Sequence, residues 1–583
     1  MRLPTIPSAY AGRSINQESA RLINWYPELT NAPGSASIAM LIGTPGLRLF
    51  SAGIASPVRG VITGPDGLLY AVQSNALVRV SADGAVSLSL GSLTTSTGRV
   101  SMAQNGLLAD GIGGNQIAIA DGENTYIYNT VTGVFTTVTM PLTHLVFIDS
   151  YFIGVDGTMN AYASDIYDGL TWNPLATAPI QASPDSVQTV LSLYQQLFFI
   201  KEFSTEIYYN NGTATSVGFP YSRMAGAVIN YGTPAPWSVA LGGSSVLFLA
   251  HERDNFIGVV MLNGYMPTVV SPPAIIWHMS QSTDLTQCFA YCYSDEGHTF
   301  YVLTNPVDNW TWVYDLTTQM WHERVSGGTT GRHRANCYVR SYGMHLVGDH
   351  QSGRLYEMGS RYHTDAGQPI TGLQRTQHLA DADMGDIFIG ELQVAIESGV
   401  GLDGPAVPAT ALSALDVSGG VVSVTVTYPG ADYIDNRDQY EAVLYNDGTV
   451  VTFDDGQVMT ALTPQVTVIL RSVDGNGSGA TASATLAYGS VVNITVTNPG
   501  SGYTSPPEVI VLGQPVRPLM ALSISRDAGH TWSNEYPRSM GGPGNYRQRL
   551  VWRSLGRARD RVFQLRCSSP CKRVILGYVV QPV

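Results

Sequence analysis

Apolar and polar residues alternate along this chain in short runs. Examples are GLLYAVQSNALVRVSADGAV (67–86), QIAIADGENTYIYNTVTGVFTTVT (116–139), LVFIDSYFIGVDGTMNAYAS (145–164) and VLFLAHERDNFIGVVMLNGY (246–265). Each reads as strand, turn, strand, often with Asp-Gly, Asn-Gly or Ser-Gly near the turn, as tight hairpins require. About seven such units recur about 40 residues apart, the length of one four-stranded blade. A four-stranded sheet has two apolar faces. Stacking sheets radially buries both, and closing the ring removes most edges. The pattern predicts a β-propeller of about seven blades over 58–369. Residues 1–57 are rich in proline and read as an extended N-terminal arm.

A second pattern begins after residue 402. Gly420–Gly430, GVVSVTVTYPG, recurs as Ser490–Gly500, SVVNITVTNPG, and Tyr433 recurs as Tyr503, all displaced by 70 residues. Period-2 alternation makes each copy a half-buried strand that ends at Pro-Gly. Residues 403–515 are therefore expected to be an inserted pair of small β modules. The flanks, 370–402 with DIFIGELQVAIESGVG and 516–583 with PLMALSISRDAGHTW, read as one split β-sandwich-like domain. The fold class is all-β throughout.

Composition supports a folded chain. Hydrophobic residues make up 44 % and charged residues only 13 %, the opposite of a disordered composition. No run of 18 apolar residues marks a membrane span, and the start shows no signal-peptide core. Five cysteines argue against a disulfide scaffold and fit assembly in a cytoplasm.

Charge is uneven. The net charge is −13, yet residues 517–583 hold 12 basic and 3 acidic residues, while 403–515 hold 2 and 11. The acidic bulk argues against a grip on nucleic-acid phosphates but does not exclude a surface that lets DNA slide past without sticking. Lysine occurs only at 201 and 572. The stretch Arg547, Arg549, Arg553, Arg557, Arg559 and Arg561 is thus arginine without lysine. Guanidinium favours bidentate pairing with carboxylates, so protein contact is the preferred reading over DNA contact. The bland alternative is pairing within the domain.

Candidate chemistry is sparse. Ser525, Asp527, Gly529 and Trp532 fit the Asp-box pattern S-x-D-x-G-x-T-W, a structural hairpin, and Asp295–Phe300 is a partial copy. Asp-boxes recur in sialidases, so a glycan-cleaving or carbohydrate-binding propeller is the alternative function. That chemistry needs convergent carboxylates and arginines, which the sequence does not display. Cys288/Cys292 and Cys567/Cys571 read as core or turn cysteines, Pro570 being able to bend the second pair together. His345 and His350 read as hairpin histidines. No catalytic, cofactor or metal residue is assigned.

Three segments carry a resemblance. They are Arg21…Asn24-Trp25-Tyr26-Pro27-Glu28, Ser164-Asp165-Ile166-Tyr167-Asp168-Gly169-Leu170-Thr171-Trp172, and the run from Ser525 through Gly544–Trp552 to Phe563. Together they resemble the packaged-DNA stabilisation proteins of short-tailed phages, also called tail nozzle or tail-hub proteins. The resemblance covers 1–400 and 516–583. It implies a structural, non-enzymatic virion tail protein, assembled in the host cytoplasm as a homohexamer below the portal and adaptor rings. It also implies contacts with a tail adaptor and with spike, fibre or needle proteins, and genomic DNA passing through the lumen without sequence-specific binding. On this reading Trp25, Tyr26, Arg547, Arg549, Arg557, Arg559 and Arg561 are the candidate inter-subunit or adaptor contacts.

Overall fold

The computed structural model describes residues 2–3, 12–29, 39–106, 114–254, 256–380, 385–397, 408–431, 433, 466–488, 490–512, 518–541 and 548–582. The chain divides into two compact units, one of residues 50–319 with 332–357, the other of 1–49, 320–331 and 358–583.

In the first unit, seven antiparallel sheets follow one another along the described residues. Five are complete four-stranded meanders, at 58–92, 101–138, 144–179, 187–229 and 240–269, and two more begin at Phe289–Asp295 and Ala335–Ser341. Middle strands such as Leu69–Gln73 and Gln116–Ala120 are buried at every position, because a neighbouring sheet covers each face. Outermost strands such as Tyr221–Ile229 are largely exposed. Tyr70, Val72 and Leu77 of the first blade pack on Ile117, Ile119, Tyr126 and Tyr128 of the second, and equivalent clusters join the second to third, third to fourth and fourth to fifth.

The ring closes between the first and seventh blades. Val58, Leu69, Ala71, Val78 and Val80 pack on Leu346 and Leu355. Asn336 Nδ2 donates to the Val58 carbonyl at 2.8 Å, Gln73 Nε2 to the Gly353 carbonyl at 2.8 Å and the Tyr342 hydroxyl to the Val80 carbonyl at 2.7 Å. First strands touch from the first blade through the fourth, from the fifth to the sixth, and at the closure, where Ala335–Ser341 meets Val58–Thr63, so these first strands line the axis.

The second unit is a sandwich. One sheet has the order Trp25–Leu29, Ala39–Gly43, Val574–Pro582, Ile387–Glu397, Gln548–Ala558. The other runs Arg21–Ile23, Gly372–Arg375, Asp560–Cys567, Leu519–Ser525, Tyr536–Ser539. Ile387–Glu397 pairs with Gln548–Ala558 across the insertion, with Val394 opposite Leu550. Trp25, Leu392, Val394, Trp552, Phe563, Leu565 and Tyr578 fill the space between the sheets. The described strands of this stretch, Arg21–Ile23, Trp25–Leu29 and Ala39–Gly43, are therefore woven into sheets, where an extended arm over 1–57 was expected. Arg21–Ile23 enters one sheet and Trp25–Leu29 the other.

The described part of the insertion forms one six-stranded sheet with its own core of Val421, Val424, Tyr433, Val491, Ile494 and Tyr503. The two sequence copies meet within it, Val424 opposite Ile494. Both hairpins skip the same positions in register: Val422 and Thr427 in one, Val492 and Thr497 in the other.

Candidate functional site

The N-terminal motif is a buried knot within the sandwich unit. Asn24 is fully buried with φ at 54°, a left-handed conformation that asparagine tolerates better than most residues. Its Nδ2 donates to the carbonyls of Val325 (3.0 Å) and Thr371 (2.9 Å), and its Oδ1 accepts the Val325 N–H at 2.9 Å. Its own N–H donates to the Glu323 carbonyl. Arg21 makes two parallel bonds to the Glu323 carboxylate, each 2.7 Å. Trp25 is 0 % exposed and Tyr26 3 %. Both were expected at inter-subunit or adaptor contacts, with packing on the chain itself as the alternative. Their surfaces are instead covered by this chain, Trp25 by the sandwich core and Tyr26 beside the His322 ring.

The second motif locks the third blade to the second. Tyr167, with φ at 53°, turns its carbonyl to the N–H of Gly114 and to Asn105 Nδ2. The Gly169 N–H donates to Gln116 Oε1 at 2.7 Å, and Trp172 Nε1 donates to the Gly169 carbonyl at 2.7 Å.

The Asp-box closes as a self-contained turn. Ser525 Oγ donates to Asp527 at 2.7 Å and accepts the Gly529 N–H at 2.8 Å. Asp527 accepts the Thr531 N–H at 2.9 Å and the Thr531 hydroxyl at 2.6 Å. The Thr531 bonds, with Ser525, hold its carboxyl down to about 2. Gly529 stands at φ 94°, and the Arg375 guanidinium lies 5.0 Å from the Trp532 ring centre. The box also straps the N-terminal segment: His530 Nε2 is 2.8 Å from Asn16 Oδ1. Nearby, His378 bridges the Asp560 carboxylate and the Ile15 carbonyl, all at 2.9 Å. The partial copy at 295–300 is a plain hairpin, Asp295 opposite His298 across a Glu296-Gly297 turn.

The arginine stretch separates into two populations. Gln548–Ala558 ends its sheet, and its outward side carries Arg549, Arg553 and Arg557, with Arg559 just beyond. Arg553 pairs with Glu391 at 2.9 Å, and Arg557 and Arg559 share Asp386 at 3.1 and 3.8 Å. These guanidiniums stay 64–81 % exposed. Arg561 is the correction among the expected contacts: it is 0 % exposed, and its Nη1 donates to the Leu555 carbonyl at 2.6 Å. It stands on the opposite sheet, and its alternation turns it inward. Arg547 lies outside the described residues.

Other singled-out residues have local roles. The turn at Pro570 brings Cys567 and Cys571 together, and their mutual influence lowers the Cys567 thiol and raises that of Cys571. His345 Nδ1 meets the Tyr338 hydroxyl at 2.9 Å, and His350 Nδ1 the Arg334 carbonyl at 3.0 Å. Among the described residues no three His, Cys, Asp or Glu converge as metal ligands.

One cluster was not read from the sequence. Where the first strands begin, Arg99 stacks 3.7 Å from the Phe289 ring centre and 5.9 Å from that of Trp237, and hydrogen-bonds Asn336. His144 packs 4.3 Å from Trp237. These side chains come from the approaches to five different blades and meet across the axis. The only linear signal is their shared position at or just before a blade's first strand.

The fold thus defines a class: an all-β chain of propeller and sandwich whose motif residues hold strands together. Residues 1–362 match the family model for the Bacteriophage P22 Gp10 β-propeller, and residues 508–581 that for the Bacteriophage P22 Gp10 β-sandwich. The chain belongs to this family, that of a phage tail structural protein. No curated protein matches it. Among solved structures, the N-terminal domain of Nup159 is 10 % identical, covers 58 % of this chain and 98 % of its own, and has a TM-score of 0.33. An S. cerevisiae Dbp5 complex with Nup159 and Gle1 gives 12 %, 54 %, 95 % and 0.33. The designed Ika8 protein gives 11 %, 54 %, 99 % and 0.30.

Proposed function

We propose that this chain is a nozzle subunit of a short-tailed phage tail, retaining packaged DNA and forming part of its exit channel. The family membership of both the propeller and the sandwich is the observation that carries this reading. The axial cluster adds a constraint. Arg99, Trp237, Phe289 and His144 occupy one end of the propeller axis, so DNA passes between copies of the chain and not through a propeller. Several copies in a ring, six on the family resemblance, then make the lumen. The overall acidic charge keeps phosphates from sticking to its wall.

The role is structural and not enzymatic. The motif groups that resemble catalytic equipment, Asp527 above all, are already engaged in turn bonds. Arg549, Arg553, Arg557 and Arg559 form the face proposed to meet an acidic surface on a neighbouring copy or the adaptor. Spike, fibre or needle proteins attach further along the tail.

A reconstruction of the parent virion's tail without imposed symmetry tests this. Six copies in a ring beneath the adaptor are expected. Single copies on the periphery, or none, would overturn the reading.

A further inference from the structure

The axial cluster holds two guanidiniums and no matching anion. Arg332 lies 6.0 Å from the centre of the Phe289 ring against which Arg99 also stacks. The acceptors of Arg99 are the neutral carbonyl and amide oxygens of Asn336. Arg332 Nη1 is buried and has no hydrogen-bond partner. Among the described residues, no carboxylate stands within ion-pairing distance of either group. Asp349 acts on Arg332 only from further off. Its oxygens already accept the Gln351 N–H at 3.1 Å and the Ser352 hydroxyl at 2.6 Å. His144, only 7 % exposed, has both ring nitrogens unpartnered against the same Trp237.

This arrangement is costly as it stands. Two like charges lie close together between aromatic walls. Burial pulls the Arg99 guanidinium down to about 10, the neighbouring Cys337 thiol opposing the shift and Arg332 adding to it. An unpaired charged donor in such a place is destabilising unless an anion completes it. Cation–π contact offsets only part of that cost. Two forked guanidiniums suit an acceptor with several oxygens better than a spherical ion.

We propose that this end of the propeller axis is a binding site for a phosphate-type oxyanion, held by Arg99 and Arg332 between Trp237 and Phe289. The group is either free phosphate or the terminal phosphate of a nucleic acid strand. The site is independent of the nozzle reading, because it uses only residues of one propeller.

The test is the melting temperature of the full chain titrated with inorganic phosphate, chloride keeping the ionic strength constant. A saturable rise with phosphate is expected, by ordinary linkage. Arg332→Gln should raise the half-saturating concentration about tenfold or more, as loss of a charged, forked contact does. Arg332→Lys keeps the charge without the fork and should also weaken binding. Fluorescence should change on binding in the wild type and not in Trp237→Phe. A short oligonucleotide with and without a 5′-phosphate separates the sources. A response at lower concentration than inorganic phosphate, dependent on the terminal group, points to the strand end, and its absence to the free ion. A wild type that responds to phosphate as it does to chloride would overturn the proposal. So would Arg332→Gln and Arg332→Lys variants that both match the wild type.

Discussion

Val424 and Ile494 occupy the same position in two sequence copies 70 residues apart, and they face each other across one antiparallel pair. A local two-fold axis therefore runs between them. The equivalence extends outward. Thr410 and Thr427 share a hydroxyl contact of 2.8 Å, and Thr481 and Thr497 one of 2.7 Å. Val422 and Val492, at the skipped positions, are both exposed. The two copies complete one another's sheet, which explains why an insertion of this length can carry its own core.

The insertion should accordingly fail as a unit. Ile494→Ala removes a buried side chain at the symmetry axis and should cost about 2–4 kcal/mol of the insertion's stability. Hydrogen exchange should quicken across the strands at 410–428 and 478–501 while the blades keep their protection. Faster exchange in the blades would show that the insertion is integral to them.

Asn24 should be hard to replace. Asn24→Ala loses three side-chain bonds and puts a Cβ residue at positive φ without compensation, at about 2–4 kcal/mol. Asn24→Gly relieves only the backbone. In urea unfolding the glycine variant should lie between wild type and alanine. Equal losses would mean that the side-chain bonds alone decide the position.

The exposed arginines should matter for assembly and little for folding. Arg557→Glu with Arg559→Glu breaks two surface pairs with Asp386, each contributing about 0–1 kcal/mol. The double variant should melt near wild type yet enter particles poorly. Normal incorporation into infectious particles would remove this face from the list of interfaces.

Acid should destabilise the protein in two windows. Burial lowers His144 from 6.5 to about 3, so the folded state refuses a proton that the unfolded chain accepts. That contribution is intact above pH 6.5 and is lost as pH falls toward 3. Asp527 is held at about 2 by Thr531 and Ser525, so its contribution is present above its ordinary 3.8 and lost between 3.8 and 2. His144→Phe keeps a ring against Trp237 and removes the first window. Its urea midpoint should fall less than the wild type's between about pH 7.5 and about pH 5. An identical fall would show that His144 is not held neutral.

Much of this protein was determined locally. Period-2 alternation with Gly-rich turns specified the blades, since strand and hairpin preferences act over a few residues. The 70-residue repeat and the Asp-box were legible for the same reason. Tertiary structure decided what distance along the chain conceals. Alternation separates two faces of a strand but does not say which one is buried, so Arg557 and Arg561 differ only once the sheets have packed. Trp25 and Tyr26 look like contact residues until the crossover at Asn24 carries them into the sandwich. The axial cluster unites residues 99, 144, 237, 289 and 332, which meet only because ring closure brings the beginnings of separate blades to one point.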